Sequence, residues 1–289
     1  MGIASAFVVE LQRISRSIHP TDYECRMLMS RSFLCVAVVV AMTLGLAGCS
    51  KVIPYRYKLT LAVNTPDGVK RGSSVVEVAF YQVWFPERGT MHKLRGEALY
   101  LDLGPGARPL IALLTRQLPK GGSGQHWTRD AGPETRWMSQ IYGQARSEDF
   151  IDDVPRLARL RGPRPITPAD LPDLVTFADA NDPNSVIEVD PNDLQATLGP
   201  NITWNEITLE STDEAITKGI ELKLPWIVAY WCGMLDGDRY HGKTTVANTL
   251  STADFQDTDE SRDRIRKKLR GDIILECWKS KTEWQQRHR

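Results

Sequence analysis

The sequence has no excess of charge of either sign, because 36 Lys and Arg residues balance 36 Asp and Glu residues in a chain of 289. Without a basic excess there is no argument for a nucleic-acid partner. Cysteine is scarce, at five residues, which excludes a small disulfide-stapled protein. With 42% hydrophobic and 25% charged residues, the composition also excludes collagen, a coiled-coil rod and a wholly disordered polymer.

The sequence also lacks the local motifs of metal binding and catalysis. It contains no His-Glu-x-x-His, no Cys-x-x-Cys and no pair of histidines at helical spacing, so a zinc site has no support. Gly-x-Ser-x-Gly is absent as well. We therefore predict no catalytic residue, no metal and no cofactor. A hydrolase whose site assembles from distant residues stays open as the alternative, because catalytic triads are not local in sequence.

The longest hydrophobic run is too short to be a typical membrane span. Phe33 to Ala47 is almost uninterrupted apolar chain, about fifteen residues where a bilayer needs about 20. Arg31 precedes the run and small residues close it. This order of basic, apolar and small residues is typical of a secretory signal peptide.

The run ends in Leu46-Ala47-Gly48-Cys49, which resembles the lipobox of bacterial lipoproteins at all four positions. The resemblance implies cleavage before Cys49 and a diacylglycerol on its thiol. The chain would then be anchored in the cell envelope, facing the periplasm. An aspartate after the cysteine retains such proteins in the inner membrane, and Ser50 in its place favours the outer membrane. A buried helix or a transmembrane anchor that happens to end in these residues is the alternative.

Residues 1–28 do not fit a signal peptide, which begins with its basic region at once. They include Glu10, Asp22 and Glu24. We interpret them as an over-extended start or a disordered extension. The predicted organisation is then residues 29–48 as signal peptide, 49–54 as tether, 55–255 as one β-rich periplasmic domain and 256–289 as a charged, basic C-terminal tail.

Two hairpins are predicted directly after the tether. Tyr55–Asn64 alternates apolar and polar residues, the pattern of a strand with one buried face. Thr65-Pro66-Asp67-Gly68 then favours a turn. Ser73–Phe85, rich in Val, Phe and Tyr, is predicted to be the second strand of this hairpin. The second hairpin is predicted from two apolar segments around Gly104–Ala107, at Ala98–Leu103 and Pro109–Leu114.

The rest of the chain mixes short strands with short helices. Ser147–Leu160 carries a helical apolar stripe, and Pro155 inside it predicts a kink or a late start. Asp190 with Pro191 favours a helix start. Further strands are predicted at Leu174–Ala178, Val186–Val189 and Ile202–Glu210. We therefore predict a mainly β to α+β fold, a single antiparallel, sandwich-like domain with two or three short helices.

Two local motifs resemble ligand-binding sites, but we do not interpret either of them as one. Gly237–Thr244 matches G-x-x-x-x-G-K-[ST]. Too few residues follow it to complete the fold of a P-loop nucleotide-binding protein, and export would place the motif in a compartment without ATP. We therefore predict no nucleotide function. Asp179–Asn184 clusters oxygen ligands that suit Ca²⁺, but it lacks the Gly and the distal Glu of an EF-hand loop. We interpret it as a polar turn.

The C-terminal segment is basic, with ten Lys or Arg and four Asp or Glu from Arg262 to Arg289. An ordinary solvated helix explains it, while contact with anionic lipid or envelope proteins is the alternative. Cys232 and Cys277 remain as a pair once the signal peptide is removed and Cys49 is acylated. Both end apolar runs that we expect to be buried strands, so a disulfide between them is possible in an oxidising compartment. Two separate buried thiols are the alternative.

Overall fold

A computed structural model describes residues 52–83, 89–117, 129–130, 138–143, 150–167, 170–230, 250–261, 263 and 273–288. Contacts divide the chain into one unit at Met1–Ser50 and another at Lys51–Arg289, and the described residues all belong to the second. The predicted lipidation site Cys49, Cys232 and the Gly237–Thr244 motif lie outside the described residues.

The predicted antiparallel, mainly β fold is confirmed. The larger sheet has six strands in the order β12-β3-β2-β1-β11-β8. Its strands are β1 (Ile53–Thr65), β2 (Gly68–Val83), β3 (Gly89–Glu97), β8 (Arg164–Pro165), β11 (Thr203–Ser211) and β12 (Gln256–Asp257). The second sheet has the order β10-β9-β5-β4, from β4 (Leu99–Leu101), β5 (Leu110–Ala112), β9 (Leu174–Phe177) and β10 (Val186–Glu188). A separate pair joins β6 (Arg116–Gln117) to β7 (Arg129–Asp130).

The first predicted hairpin is confirmed and forms the centre of the larger sheet. β1 pairs with β2 in continuous register from Ile53↔Phe80 to Thr65↔Gly68. Alternate β1 side chains, from Tyr55 to Val63, are buried, as period-two alternation requires. The tight turn places Gly68 at a φ of 108°, a backbone conformation that favours glycine.

Strand β3 was not predicted. Its sequence, GTMHKLRGE, has few β-branched or aromatic residues and therefore lacks the usual composition of a strand. It pairs with β2 from Glu77↔Arg95 to Val83↔Gly89. A close approach depends on Gly96, since a Cβ there would lie 2.9 Å from Cγ2 of Val76.

The second sheet is buried on both faces. In β5, Leu110 and Ala112 join the apolar cluster between the two sheets, whereas Ile111 joins a second cluster on the opposite face. In β9, Leu174 belongs to the first cluster and Phe177 to the second. The second cluster contains an aromatic group in which Trp226 contacts Phe177, Phe255 and Tyr230.

Short helices contribute to both apolar clusters: the three between Met138 and Leu198 pack in the first, whereas Trp226–Ala229 packs in the second. The described α-helices are α1 (Met138–Ile141), α2 (Val154–Leu157), α3 (Leu194–Leu198), α4 (Trp226–Ala229) and α5 (Ile273–Arg287). Single 3₁₀ turns lie at Phe150–Asp152, Pro183–Ser185, Ile220–Leu222 and Thr252–Asp254. Within the described part of the chain, no helix is both long and apolar enough to cross a membrane.

Three details of the sequence interpretation are wrong. The helix after Asp190 is capped by Asp193, whose carboxylate accepts a hydrogen bond from the Ala196 amide, while Asp190 closes a turn with the Asn192 amide. The apolar run after Ile220 is helical rather than extended. The segment that ends at Cys277 lies in helix α5 rather than on a strand, because a three-residue apolar run does not distinguish strand from helix.

Candidate functional site

A cleft opens between the turn after β9 and the last turns of α5. We call it the C-terminal cleft, and its volume is about 280 Å³. One wall is the polar turn and the other is the end of the helix, with a tyrosine between them. The lining residues are Asp179, Asn181, Asp182, Pro183, Asn184, Tyr230, Trp284, Gln285 and His288.

The polar wall is the turn predicted at residues 179–184, and that interpretation is confirmed. One carboxylate oxygen of Asp179 accepts from the Asn181 amide at 2.9 Å. One oxygen of Asp182 accepts from the Asn184 amide at 2.9 Å and caps the 3₁₀ turn that starts at Pro183. Local hydrogen bonds of this kind build turns without a ligand. Among the described residues, no cluster of His, Cys, Asp or Glu could hold a metal.

Two tryptophans fix the position of this turn. The indole N–H of Trp226 donates to the Ala180 carbonyl at 3.1 Å, and Trp226 is fully buried in the second apolar cluster. From α5, the indole N–H of Trp284 donates to the Asn181 carbonyl at 3.3 Å. The turn is thereby attached both to the core and to the C-terminal helix, so the cleft has two defined walls.

Tyr230 lies at the base of the cleft and is fully buried. Its hydroxyl makes no hydrogen bond of ordinary geometry to the described residues. The neighbouring Gln285 side chain opposes the rise in the pKa of Tyr230 that burial causes. Burial raises the pKa of Tyr230, and the charge of Asp182 raises it further. The Lys281 ammonium lies 4.6 Å from the ring centre, a cation–π contact.

The rim of the cleft carries two stacked rings. Trp284 and His288, one helical turn apart, have ring centres 3.8 Å apart and planes inclined by 16°. His288 Nδ1 lies 2.9 Å from the Trp284 carbonyl. The stack presents a flat aromatic edge beside the carboxylates of the turn, so the cleft offers both polar and apolar contacts.

A second group of polar side chains is buried away from the cleft. Glu97 is only 2% exposed, and its oxygens accept from the Gln256 amide and from the Ile220 backbone N–H, both at 2.8 Å. The same Gln256 amide also donates to Glu221 at 2.8 Å. Burial raises the pKa of Glu97. These contacts join the end of β3 to β12 and to the 3₁₀ turn at Ile220–Leu222.

The exposed face of the larger sheet carries a row of ion pairs. Arg56, Glu77 and Arg95 lie directly across β1, β2 and β3. Glu77 accepts from Arg56 at 2.9 Å and from Arg95 at 3.2 Å. Arg95 also pairs with Asp259, which accepts from Lys93 as well. Opposite charges on neighbouring strands stabilise their pairing.

The sequence identified one part of the cleft only. The polar turn at residues 179–184 was recognised, but Tyr230, Trp284 and His288 were not linked to it. They come from segments about 50 and 100 residues away, and no local motif connects them. The Cys232–Cys277 disulfide stays a prediction, because Cys232 and the side chain of Cys277 lie outside the described residues.

No family model, no curated protein and no solved structure matches the chain.

Proposed function

We propose that the chain is a lipid-anchored protein of the cell envelope, facing the periplasm from the outer membrane, with a binding or assembly role. One observation carries the proposal. Leu46-Ala47-Gly48-Cys49 matches the lipobox at every position and closes an apolar run of signal-peptide length. The lipid on Cys49 would hold the β-rich unit at the membrane surface, so its partners are those that reach that surface.

The C-terminal cleft supports binding as the role of the anchored unit. Its carboxylate and amide groups stand beside the rings of Tyr230 and Trp284, and aromatic side chains with a polar end are enriched where proteins bind partners. The volume of about 280 Å³ lies at the lower limit for small-molecule pockets. A side chain of a partner protein or a small polar ligand fits this size.

A periplasmic hydrolase is the alternative proposal, and the carboxyl pair Glu97 and Glu221 favours it. A carboxyl group with a raised pKa beside a second carboxylate is a common acid–base arrangement. However, the Glu97 oxygens are occupied by Gln256 and the Ile220 amide. Neither carboxylate lines the cleft. We therefore place binding above hydrolysis.

Labelled palmitate tests the anchor. The full chain is produced in a Gram-negative host together with Cys49→Ala and, as a matched control, Cys277→Ala. We expect the native chain and Cys277→Ala to take up label and to sediment with membranes, whereas Cys49→Ala does neither. An unlabelled native chain, or equal labelling of all three proteins, contradicts the proposal.

The binding role is tested by recovering the lipidated protein with its partners from native envelopes. Trp284→Ala removes one aromatic wall of the cleft. Val69→Ala is the control, because Val69 is 51% exposed and lies next to the turn between β1 and β2. We expect Trp284→Ala to lose a partner that the native chain and Val69→Ala both retain. Identical recovery by all three proteins contradicts a binding role for the cleft.

A further inference from the structure

The β-rich unit begins very close to the predicted lipid. Strand β1 begins at Ile53, and Val52 before it is 54% exposed. An extended chain spans at most about 3.6 Å per residue. The three peptide units from Cys49 to Val52 can therefore separate a lipidated cysteine from the start of the sheet by about 11 Å at most.

Strand register shows which part of the larger sheet shares that end. Ile53 pairs with Phe80, and Phe80 pairs in turn with His92. The start of β1, the last residues of β2 and the first half of β3 therefore lie together. We call this the tether end and define it by Val52, Ile53, Tyr81 and His92. His92 is exposed and Tyr81 is partly exposed, and tyrosine is enriched at membrane–water interfaces.

The opposite end of the same hairpin lies far from the tether. β1 has 13 residues, and antiparallel strands rise about 3.4 Å per residue. The turn at residues 66–67 and the neighbouring Val69 are therefore about 40 Å from Ile53 along the strand. Val69 is 51% exposed, close to the value for Val52, so the two valines mark the two ends of one hairpin.

The exposed face of the sheet is poorly suited to lie flat on a bilayer. Its cations are already paired, Arg56 with Glu77, Lys58 with Glu214, and Lys93 and Arg95 with Asp259. Pressing this face against lipid would desolvate ion pairs that are partly exposed, which is costly without new partners. The opposite face of the sheet packs against the second sheet.

We propose that the tether end is a membrane-contact surface, and that the unit stands on the phospholipid bilayer with the β1–β2 turn directed away from it. This inference rests on the lipid anchor proposed above. The short tether brings the tether end to the bilayer, where Val52 and the partly exposed Tyr81 contact the interfacial region. The distal hairpin remains in the periplasm, available to other molecules.

Lipid-borne quenching measures this orientation in the lipidated protein. His92→Cys and Val69→Cys are made separately in a Cys232→Ser, Cys277→Ser background and labelled with the same fluorophore. Each protein is reconstituted in vesicles of phosphatidylethanolamine and phosphatidylglycerol that carry a nitroxide on the headgroup. His92 is distant from Cys49 in sequence, so quenching there reports orientation rather than tether length.

We expect several-fold stronger quenching at position 92 than at position 69. Equal quenching at both positions, as for a unit lying flat, or stronger quenching at position 69 would overturn the inference. Membrane sedimentation of the same samples separates this failure from failure of the anchor. A protein that sediments with vesicles but shows equal quenching refutes the orientation alone, whereas a native chain that never acquires lipid refutes the proposed function.

Discussion

Glu97 joins three parts of the chain through one carboxylate. It ends β3 and accepts hydrogen bonds from Gln256 of β12 and from the Ile220 backbone N–H. The side chain is buried, and a buried carboxylate is tolerated only where hydrogen bonds replace water. The sequence contained no sign of this role, because Ile220 and Gln256 are both more than 100 residues from Glu97.

Replacing Glu97 with Gln should destabilise the domain. The amide group that replaces one oxygen faces a donor, so one buried N–H loses its acceptor, which costs about 1–3 kcal/mol. Urea denaturation of the domain measures the change in the free energy of unfolding. Glu188→Gln, at an exposed position on β10, is the control and should have little effect. Equal effects for both variants contradict this account of Glu97.

The raised pKa of Glu97 also predicts a pH dependence. Burial makes the folded-state pKa higher than that of the unfolded chain, so its contribution is fully present below the unfolded value, near 4.3. That contribution is lost as pH rises through the folded-state value. The free energy of unfolding of the native chain, relative to Glu97→Gln, should therefore fall between pH 4 and neutral pH. A difference that grows over this interval contradicts the prediction.

Strand β3 illustrates what the sequence could and could not predict about the elements. The β1–β2 hairpin was predictable, because its alternation and its Pro-Asp-Gly turn are both local signals. β3 was not, since its pairing depends on Gly96 coming close to Val76 of the neighbouring strand. The basic C-terminal segment was interpreted as a solvated helix, but its apolar run Ile273-Ile274-Leu275 was expected to be a strand, because such a short run is compatible with both and packing decides between them.

The close contact at Gly96 predicts a position-specific cost. In Gly96→Ala, the new Cβ would lie 2.9 Å from Val76 Cγ2 and 3.1 Å from Val76 Cα, so the strands must separate locally. Overpacking of this kind costs about 1–3 kcal/mol. Gly68→Ala has a strained φ but no atom within 4 Å of the new Cβ. Thermal unfolding should show the larger loss for Gly96→Ala, and a larger loss for Gly68→Ala would refute the explanation.

The described unit as a whole is layered. The six-stranded sheet packs on the four-stranded sheet, and α1, α2 and α3 contribute to the apolar cluster between them. Helix α4 packs on the far face of the four-stranded sheet, in the second cluster. The C-terminal cleft forms where α5 and Tyr230, the residue after α4, meet the turn after β9. The sandwich-like arrangement could be predicted from strand patterns. The cleft could not, because its two walls come together only when α5 packs against the turn.

The disulfide between Cys232 and Cys277 is a prediction about how the C-terminal helix is attached to the rest of the molecule. It would attach the C-terminal helix, and with it one wall of the cleft, to the chain beyond Tyr230. Such a loop closure contributes about 2–4 kcal/mol. Thiol titration of the unfolded, unreduced protein from the envelope should find no free thiol. Two free thiols would show that both cysteines are reduced.

The mass of the protein isolated from envelopes tests the lipid anchor most directly. We predict a chain that begins at Cys49, lacks residues 1–48 and carries the added mass of a diacylglycerol. A chain that begins before Cys49, or that begins there without lipid, would contradict the account.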